Sequence, residues 1–248
     1  MDAIVTPGLV LREIKYQESD QILTLLTPKL GVVTASAKGS LRLKNRLFSA
    51  CGLFCYSEFT LFPGKNMYSV DDAEVLRVFY GLSDSLEGMG LAMYLAEMAQ
   101  MITPSGAEAE TVLRLLLNSL HLVSEGKTPL RQIKAVFELR LMSDCGFLPQ
   151  LLCCKGCGLY EGEGFYLDEE EGWLLCSSCA RQAGKTPNLD LAALYALRHI
   201  CLSEEKKIFA FHIVPPSGQK LAAAAERYAL VHLEKTPRSY DFLKTVLP

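Results

Sequence analysis

Residues 9–37 read LVLREIKYQESDQILTLLTPKLGVVTASA: three short apolar-rich runs cut by two turn signals. The first run alternates in part. The breaks fall at Glu18-Ser19-Asp20 and at Pro28-Lys29-Leu30-Gly31, residue types that favour turns over strand interiors. Working outward, FCYSEFTLF (54–62) sets Phe54, Tyr56, Glu58 and Thr60 against Cys55, Ser57, Phe59 and Leu61, the two-residue period of a strand. Pro63-Gly64 then turns the chain into NMYSVDDAEVLRVF (66–79). Five short strands at regular spacing predict a small barrel or sandwich over residues 1–80. The link between the third and fourth strands, GSLRLKNRLFSACG (39–52), lacks strand periodicity and has room for a short helix or a loop.

From Asp84 the period changes from two to about 3.6. Asp84 with Glu87 resembles an N-terminal capping arrangement, and Leu91, Tyr94, Leu95, Met98 and Ile102 line one helical face. Leu113, Leu116, Leu117 and Leu120 mark a second helix ending near Gly126. Thr128-Pro129 reads as the N-cap and first residue of a third, with Ile133, Val136, Phe137 and Leu141 inward and Gly146 at its stop. Helical patterns return at Leu191, Leu194, Tyr195 and Leu197, again over 219–233, and in a short segment opened by Ser239. The expected organisation is α+β and multidomain. Residues 1–80 form the barrel, 81–150 and 184–248 a helical domain, and 151–183 a cysteine-rich insert.

Composition excludes several classes. With 248 residues, half of them apolar, and a net charge of −3, the chain is neither disordered nor too small for a core. It has no apolar run of membrane-spanning length, and its N-terminus does not read as a secretory signal, so a cytosolic location is expected. The charge is unevenly spread. Residues 29–65 carry six Lys/Arg (Lys29, Lys38, Arg42, Lys44, Arg46, Lys65) against one acid, Glu58. Residues 151–183 carry two bases against six acids, and 184–248 carry nine against six. Local potential, not the total, governs phosphate binding.

Nine cysteines, five of them between 153 and 179, make an odd and clustered set. In a reducing compartment such clustering points to metal rather than disulfides. Cys154-x-x-Cys157 and Cys176-x-x-Cys179 enclose eighteen residues, CKGCGLYEGEGFYLDEEEGWLLCSSC in full. Paired thiolates on two tight turns suit a tetrahedral zinc ion. Four cysteines leave no open coordination position, so the metal is expected to be structural. Cys153 adjoins Cys154 and competes with it as a ligand, although the x-x spacing favours Cys154. Cys51, Cys55, Cys145 and Cys201 stand alone in apolar surroundings and read as core.

The basic link, with Lys38, Arg42, Lys44 and Arg46, and Lys65 beyond the next strand, suits a polyanionic backbone. Phe48, Phe54, Tyr56 and Phe59 read as core first and as stacking platforms for unpaired bases second. The C-terminal bases Arg198, Lys206, Lys207, Lys220, Arg227, Lys235, Arg238 and Lys244 read mostly as solvated helix faces. The Asp168–Glu171 run reads as a solvated turn. Enzyme signatures are missing: there is no phosphate-binding G-x-x-x-x-G-K-[ST] loop, no G-x-S-x-G and no H-E-x-x-H.

VLREIKYQESDQILTLLTPKLGVVTASAKG, FELRLMSDCGFLPQLLCCKGC, GWLLCSSC and AERYALVHLEKTPRSYDFLKTV, taken in order, resemble the RecO family of bacterial DNA repair and recombination proteins. The resemblance covers nearly the whole chain. It implies an N-terminal OB-fold, a C-terminal helical domain with an inserted zinc module, and no nucleotide hydrolysis. It also implies binding of single- and double-stranded DNA and annealing of complementary strands. The partners it implies are RecR, the acidic C-terminal tail of single-stranded-DNA-binding protein and, indirectly, RecA, in the cytoplasm at the nucleoid. By position it assigns DNA contact to Lys38, Arg42, Lys44 and Arg46, and metal ligation to Cys154, Cys157, Cys176 and Cys179. The alternative reading is a zinc-stabilised protein adaptor with incidental DNA affinity.

Overall fold

A computed structural model describes residues 2–247. The five N-terminal strands are β1 (Ile4–Tyr16), β2 (Asp20–Thr27), β3 (Gly31–Ala37), β4 (Tyr56–Phe62) and β5 (Tyr68–Arg77), with the four-residue helix α1 (Leu47–Ala50) between β3 and β4. They close into a barrel of order β1-β2-β3-β5-β4, the arrangement of an OB-fold. Every neighbouring pair is antiparallel except β3 and β5, which join in parallel at Ala35–Tyr68, Ser36–Ser69 and Ala37–Val70. The alternation read from residues 54–62 holds: Ser57, Phe59 and Leu61 are buried. They meet Val10, Leu23, Leu25, Val33 and Ala35 in one core, which Leu47 and Ala50 of α1 help to fill.

The helices are α2 (Leu86–Ile102), α3 (Glu110–Glu125), α4 (Leu130–Asp144), α5 (Ser177–Gln182), α6 (Leu191–Leu202), α7 (Pro215–His232) and α8 (Ser239–Val246). Two starts shift by one residue from the sequence reading. Ser85, not Asp84, caps α2, its hydroxyl accepting from the Gly88 N–H at 2.9 Å. Pro129 itself is the N-cap of α4, so Thr128 lies outside the helix. Gly126 ends α3 in the left-handed region, φ +66°, as a glycine stop does. The cysteine-rich stretch, which shows no strand or helix period in the sequence, holds a four-stranded sheet of order β6-β8-β7-β9. Its strands are β6 (Gln150–Cys154), β7 (Gly164–Leu167), β8 (Trp173–Cys176) and β9 (Leu189–Asp190).

The chain divides into two compact units. The first runs to Gly126 and takes in Asp241–Val246; the second spans Lys127–Tyr240. The sequence places the boundary at residue 80, where the period changes, whereas α2 and α3 fold with the barrel. Backbone bonds tie them there: Gly106 N–H donates to Leu30 O and Ala109 N–H to Pro28 O, both at 2.8 Å. Gly31 bridges to Ser105 at the same place. In the second unit α4 and α7 are joined by Lys134, whose Nζ lies 2.7 Å from both Glu138 Oε1 and Glu226 Oε2. Burial pushes the Lys134 ammonium toward neutrality, but Glu138 and Glu226 more than offset this and raise its pKa. No helix among the described residues is long and apolar enough to cross a membrane.

Two substitutions test these joints. A Cβ at Gly31, where φ is +62°, would lie 2.2 Å from Pro104 O. Gly31→Ala is expected to cost at least about 2 kcal/mol of stability in urea unfolding. Lys134→Ala would remove the ammonium that lies 2.7 Å from the fully buried Glu138 carboxylate. The expected loss is about 3–5 kcal/mol, against a much smaller loss for the exposed Lys44→Ala.

Candidate metal centre and basic loop

The cysteine segment folds around two tight turns. After β6 the chain reverses at Cys154–Gly158, where Gly158 N–H donates to Cys154 O and Cys154 N–H to Leu159 O, each at 2.8 Å. Gly158 sits at φ +74°. Gly156 lies so close to the second turn that a Cβ there would be 3.1 Å from Cys179 Sγ. The second pair spans the end of β8 and the first turn of α5, with Cys176 at the N-cap. Antiparallel pairing of β7 with β8 and parallel bridging of β6 to β8 bring the two turns together.

The sulfurs of Cys154, Cys157, Cys176 and Cys179 all lie within 4.8 Å of one another. Cys157 Sγ and Cys176 Sγ are 3.6 Å apart. A tetrahedral metal–thiolate centre with bonds of about 2.3 Å spaces its sulfurs by about 3.8 Å, so the four donors fit one ion. Their proton affinities diverge as expected of crowded thiols. Burial raises that of Cys154, but backbone N–H groups of Cys176, Cys157 and Gly156 outweigh it and draw the pKa down to about 6. Cys179, hydrogen-bonded with the thiols of Cys176, Cys157 and Cys154, is pushed up to about 12. Charge on all four requires a cation between them. Cys153 points away: it is exposed and outside the cluster, while Cys154 beside it is buried.

The other cysteines are inert. Cys51, Cys55 and Cys201 are buried, and Cys145 is half-buried. Burial pushes Cys51 up to about 12 and Cys201 to about 11. The acidic run is a turn: Asp168 Oδ1 accepts from the Glu170 and Glu171 N–H groups, and Gly172 (φ +68°) completes the reversal into β8.

The basic loop leaves β3 at Lys38 and is pinned in three places. Gly39 N–H donates to Asp20 Oδ1 at 2.8 Å, and Leu41 N–H to Ser19 O at 3.0 Å. Arg46 Nε meets Asp72 Oδ1 at 2.9 Å. Between the pins the chain runs through successive turns, with Arg42 N–H bonding Gly39 O, Asn45 N–H bonding Arg42 O, and Phe48 N–H bonding Asn45 O. Lys38, Arg42 and Lys44 are exposed and form no ion pair among the described residues. Leu43 is 82% exposed and Phe48 44% exposed beside them. Phe54 and Phe59 are core, and Tyr56 is half-buried. Lys65, in the β4–β5 turn, lies apart. Parallel register at the seam carries the loop off beyond Ala37–Val70, while Lys65 precedes Tyr68 at the other end.

Sequence reasoning missed one residue. Arg198, grouped with the solvated C-terminal bases, is 6% exposed. Its Nε donates to Leu151 O at 2.8 Å, and its Nη2 to Leu152 O at 3.0 Å and Tyr160 O at 2.8 Å. Arg198 thus clasps both arms of the first cysteine turn. The signal was present: Leu194, Leu197 and Cys201 place it on the buried face of α6.

The sequence profile described as Recombination protein O N terminal matches residues 1–79, and that described as Recombination protein O C terminal matches residues 83–241. Curated relatives align along almost their full length. A "DNA repair protein RecO" from Acetivibrio thermocellus is 32% identical over 99% of this chain and 98% of its own. Another, from Alkaliphilus metalliredigens, is 30% identical over 94% of each. A third, from Symbiobacterium thermophilum, is 32% identical over 96% of each.

The geometry makes Cys153 and Cys154 unequal. Cys154→Ser is expected to abolish stoichiometric metal binding and lower the melting temperature, whereas Cys153→Ser leaves both at wild-type values. Metal content by mass spectrometry and thermal unfolding check this; equal effects would place the wrong sulfur in the site.

Proposed function

The chain belongs to the RecO family of DNA repair proteins, and on that premise we propose that it is a non-catalytic recombination mediator working through its barrel. It binds single- and double-stranded DNA, anneals complementary strands and, with RecR, helps RecA onto DNA coated by single-stranded-DNA-binding protein. The observation that carries this reading is the pinned loop, which presents Lys38, Arg42 and Lys44 without ion pairs beside exposed Leu43 and Phe48. Free cations neutralise phosphate repulsion between two strands. Exposed apolar side chains offer surface to unpaired bases. Phosphate contacts carry no sequence information, which suits a protein that acts on any gap. Arg46 also serves the loop itself, because its bond to Asp72 anchors the segment to β5. Lys65, at the other end of the seam, would meet DNA apart from the loop.

The barrel is then the DNA-binding part, the helices of the second unit the partner-binding part, and 151–183 the metal module. The metal is zinc, held by Cys154, Cys157, Cys176 and Cys179, which are the soft donors zinc prefers. Four thiolates leave it no water to activate, so its role is to hold the two turns. Partners are RecR and the acidic C-terminal tail of single-stranded-DNA-binding protein, with RecA engaged indirectly, in the cytoplasm at the nucleoid.

Annealing of complementary labelled oligonucleotides, bare and coated with single-stranded-DNA-binding protein, tests the reading without ATP. Acceleration is expected, and it should weaken steeply with salt. Joint replacement of Lys38, Arg42 and Lys44 by Glu should abolish it and reduce the salt slope of DNA binding by up to about 3. Arg46→Ala should have a smaller effect, since its exposed pair with Asp72 is worth at most about 1 kcal/mol. No acceleration by folded, metal-loaded protein at low salt sinks the proposal.

A further inference from the structure

The basic loop carries three leucines, and they lie in different surroundings. Leu47 is buried in the barrel core, and Leu41 is half-buried. Leu43 is 82% exposed. Its neighbours Arg42 and Lys44 are exposed too and form no ion pair among the described residues. Folding gains nothing from an apolar side chain left in water, and turns are ordinarily made of Gly, Pro, Asn, Asp and Ser.

The tip that presents Leu43 is braced. Asn45 N–H donates to Arg42 O at 2.8 Å, which puts Leu43 and Lys44 at the two central positions of a turn. The Asn45 side chain accepts from Leu47 N–H at 3.0 Å through Oδ1. It also lies against the base of the loop, so close that a Cβ on Gly39 would be 3.0 Å from Asn45 Nδ2. Gly39 N–H is itself bonded to Asp20. Leu43 is thus held out from the barrel by a bonded frame, and little ordering is left to be done when a ligand arrives.

The chemistry of the tip selects its ligand. One leucine covers too little area to dock a protein. Free cations on either side of it suit phosphates, and what lies between the phosphates of a nucleic acid is the stack of bases. Leucine has no π face on which to lay a base, as an aromatic platform has. It is instead one of the side chains that enter between base steps and part them. Within a continuous duplex such a wedge must open a step that is stacked and paired on both sides. Where a duplex gives way to a single strand, the last pair has a paired neighbour on one side only, so opening it costs less.

We propose that Leu43 is a wedge that enters the base stack where a duplex gives way to a single strand, with Arg42 and Lys44 on the phosphates to either side. The proposal deepens the DNA-binding reading of the loop, on which it rests. It assigns the preference for such a junction over continuous duplex to one side chain, whereas the cations supply affinity for both.

The test uses the full-length, metal-loaded chain and DNAs carrying the fluorescent base 2-aminopurine, whose emission rises when it unstacks. A duplex with a single-stranded overhang carries the probe at its last paired position. A relaxed duplex minicircle, which has no ends, carries it within continuous helix. Wild type is expected to brighten the junction probe and leave the minicircle probe quenched. Leu43→Ser, at an exposed position that folding tolerates, should lose the rise. It should also lower the ratio of overhang to minicircle affinity by at least about fivefold. Leu43→Met, which keeps an apolar wedge, should restore both. A merely structural role for Leu43 would lower the two affinities alike and leave their ratio as it was. The proposal is overturned if wild type binds and anneals DNA without brightening the junction probe, if both probes brighten alike, if Leu43→Ser keeps the rise, or if Leu43→Met fails to restore it. Failure of wild type to bind either DNA overturns the DNA-binding reading and the wedge together, so the two failures are told apart.

Discussion

Three residue pairs between β3 and β5 close the barrel, and the placement of the basic loop depends on that short seam. Parallel neighbours cannot be joined by a hairpin, so the chain between β3 and β4 must leave the seam and travel before returning. Eighteen residues, 38–55, make that journey. Its first half carries the cations, and its second half folds into α1, which fills part of the core. The ion pair from Arg46 to Asp72 ties the far side of the loop to β5, just past the last seam pair. The loop is therefore a consequence of barrel topology. Its exposure follows from having no strand to pair with, and its order comes from the three pins.

The second unit is organised by a different constraint. Four sulfurs within 4.8 Å of one another need both turns held in place, because neither carries an apolar core of its own. The short sheet holds one side, and Arg198 holds the other through three carbonyls. An arginine suits this position because its planar fork reaches several acceptors at once and stacks on an aromatic ring. The same geometry leaves Nη1 unspent. A lysine in its place would supply the charge without the planar fork.

Legibility from sequence tracked the length and regularity of each element. The barrel strands β1 to β5 were visible because seven to thirteen apolar-rich residues, alternating at least in part, stand out between turn signals. The α2–α4 helices were visible through their apolar faces, although their caps slipped by one residue where Ser85 and Pro129 each had an equally plausible neighbour. The sheet around the cysteines was not legible. Its strands run two to five residues, and the pairing of β6 with β8 is interrupted between Gln150 and Cys154. The four clustered cysteines were legible from spacing, since two C-x-x-C turns declare themselves and the spacing favours Cys154 over Cys153; in the fold Cys154 is buried in the cluster and Cys153 is exposed outside it. Arg198 was hidden by its residue type. Counted as a charge it joined the solvated bases, and only its place among Leu194, Leu197 and Cys201 marks it as buried.

Charge also distinguishes the two units. Residues 151–183 carry six acids against two bases, and several of those acids are spent on structure. Asp168 caps its own turn, while Glu169 bonds Arg227 and Asn188. A surface of that sign repels a phosphate backbone, so the module gains nothing by lying against DNA. Among the described residues, only Arg46 of the barrel's loop cations is paired with an acid, so the basic surface of the barrel keeps most of its charge uncompensated.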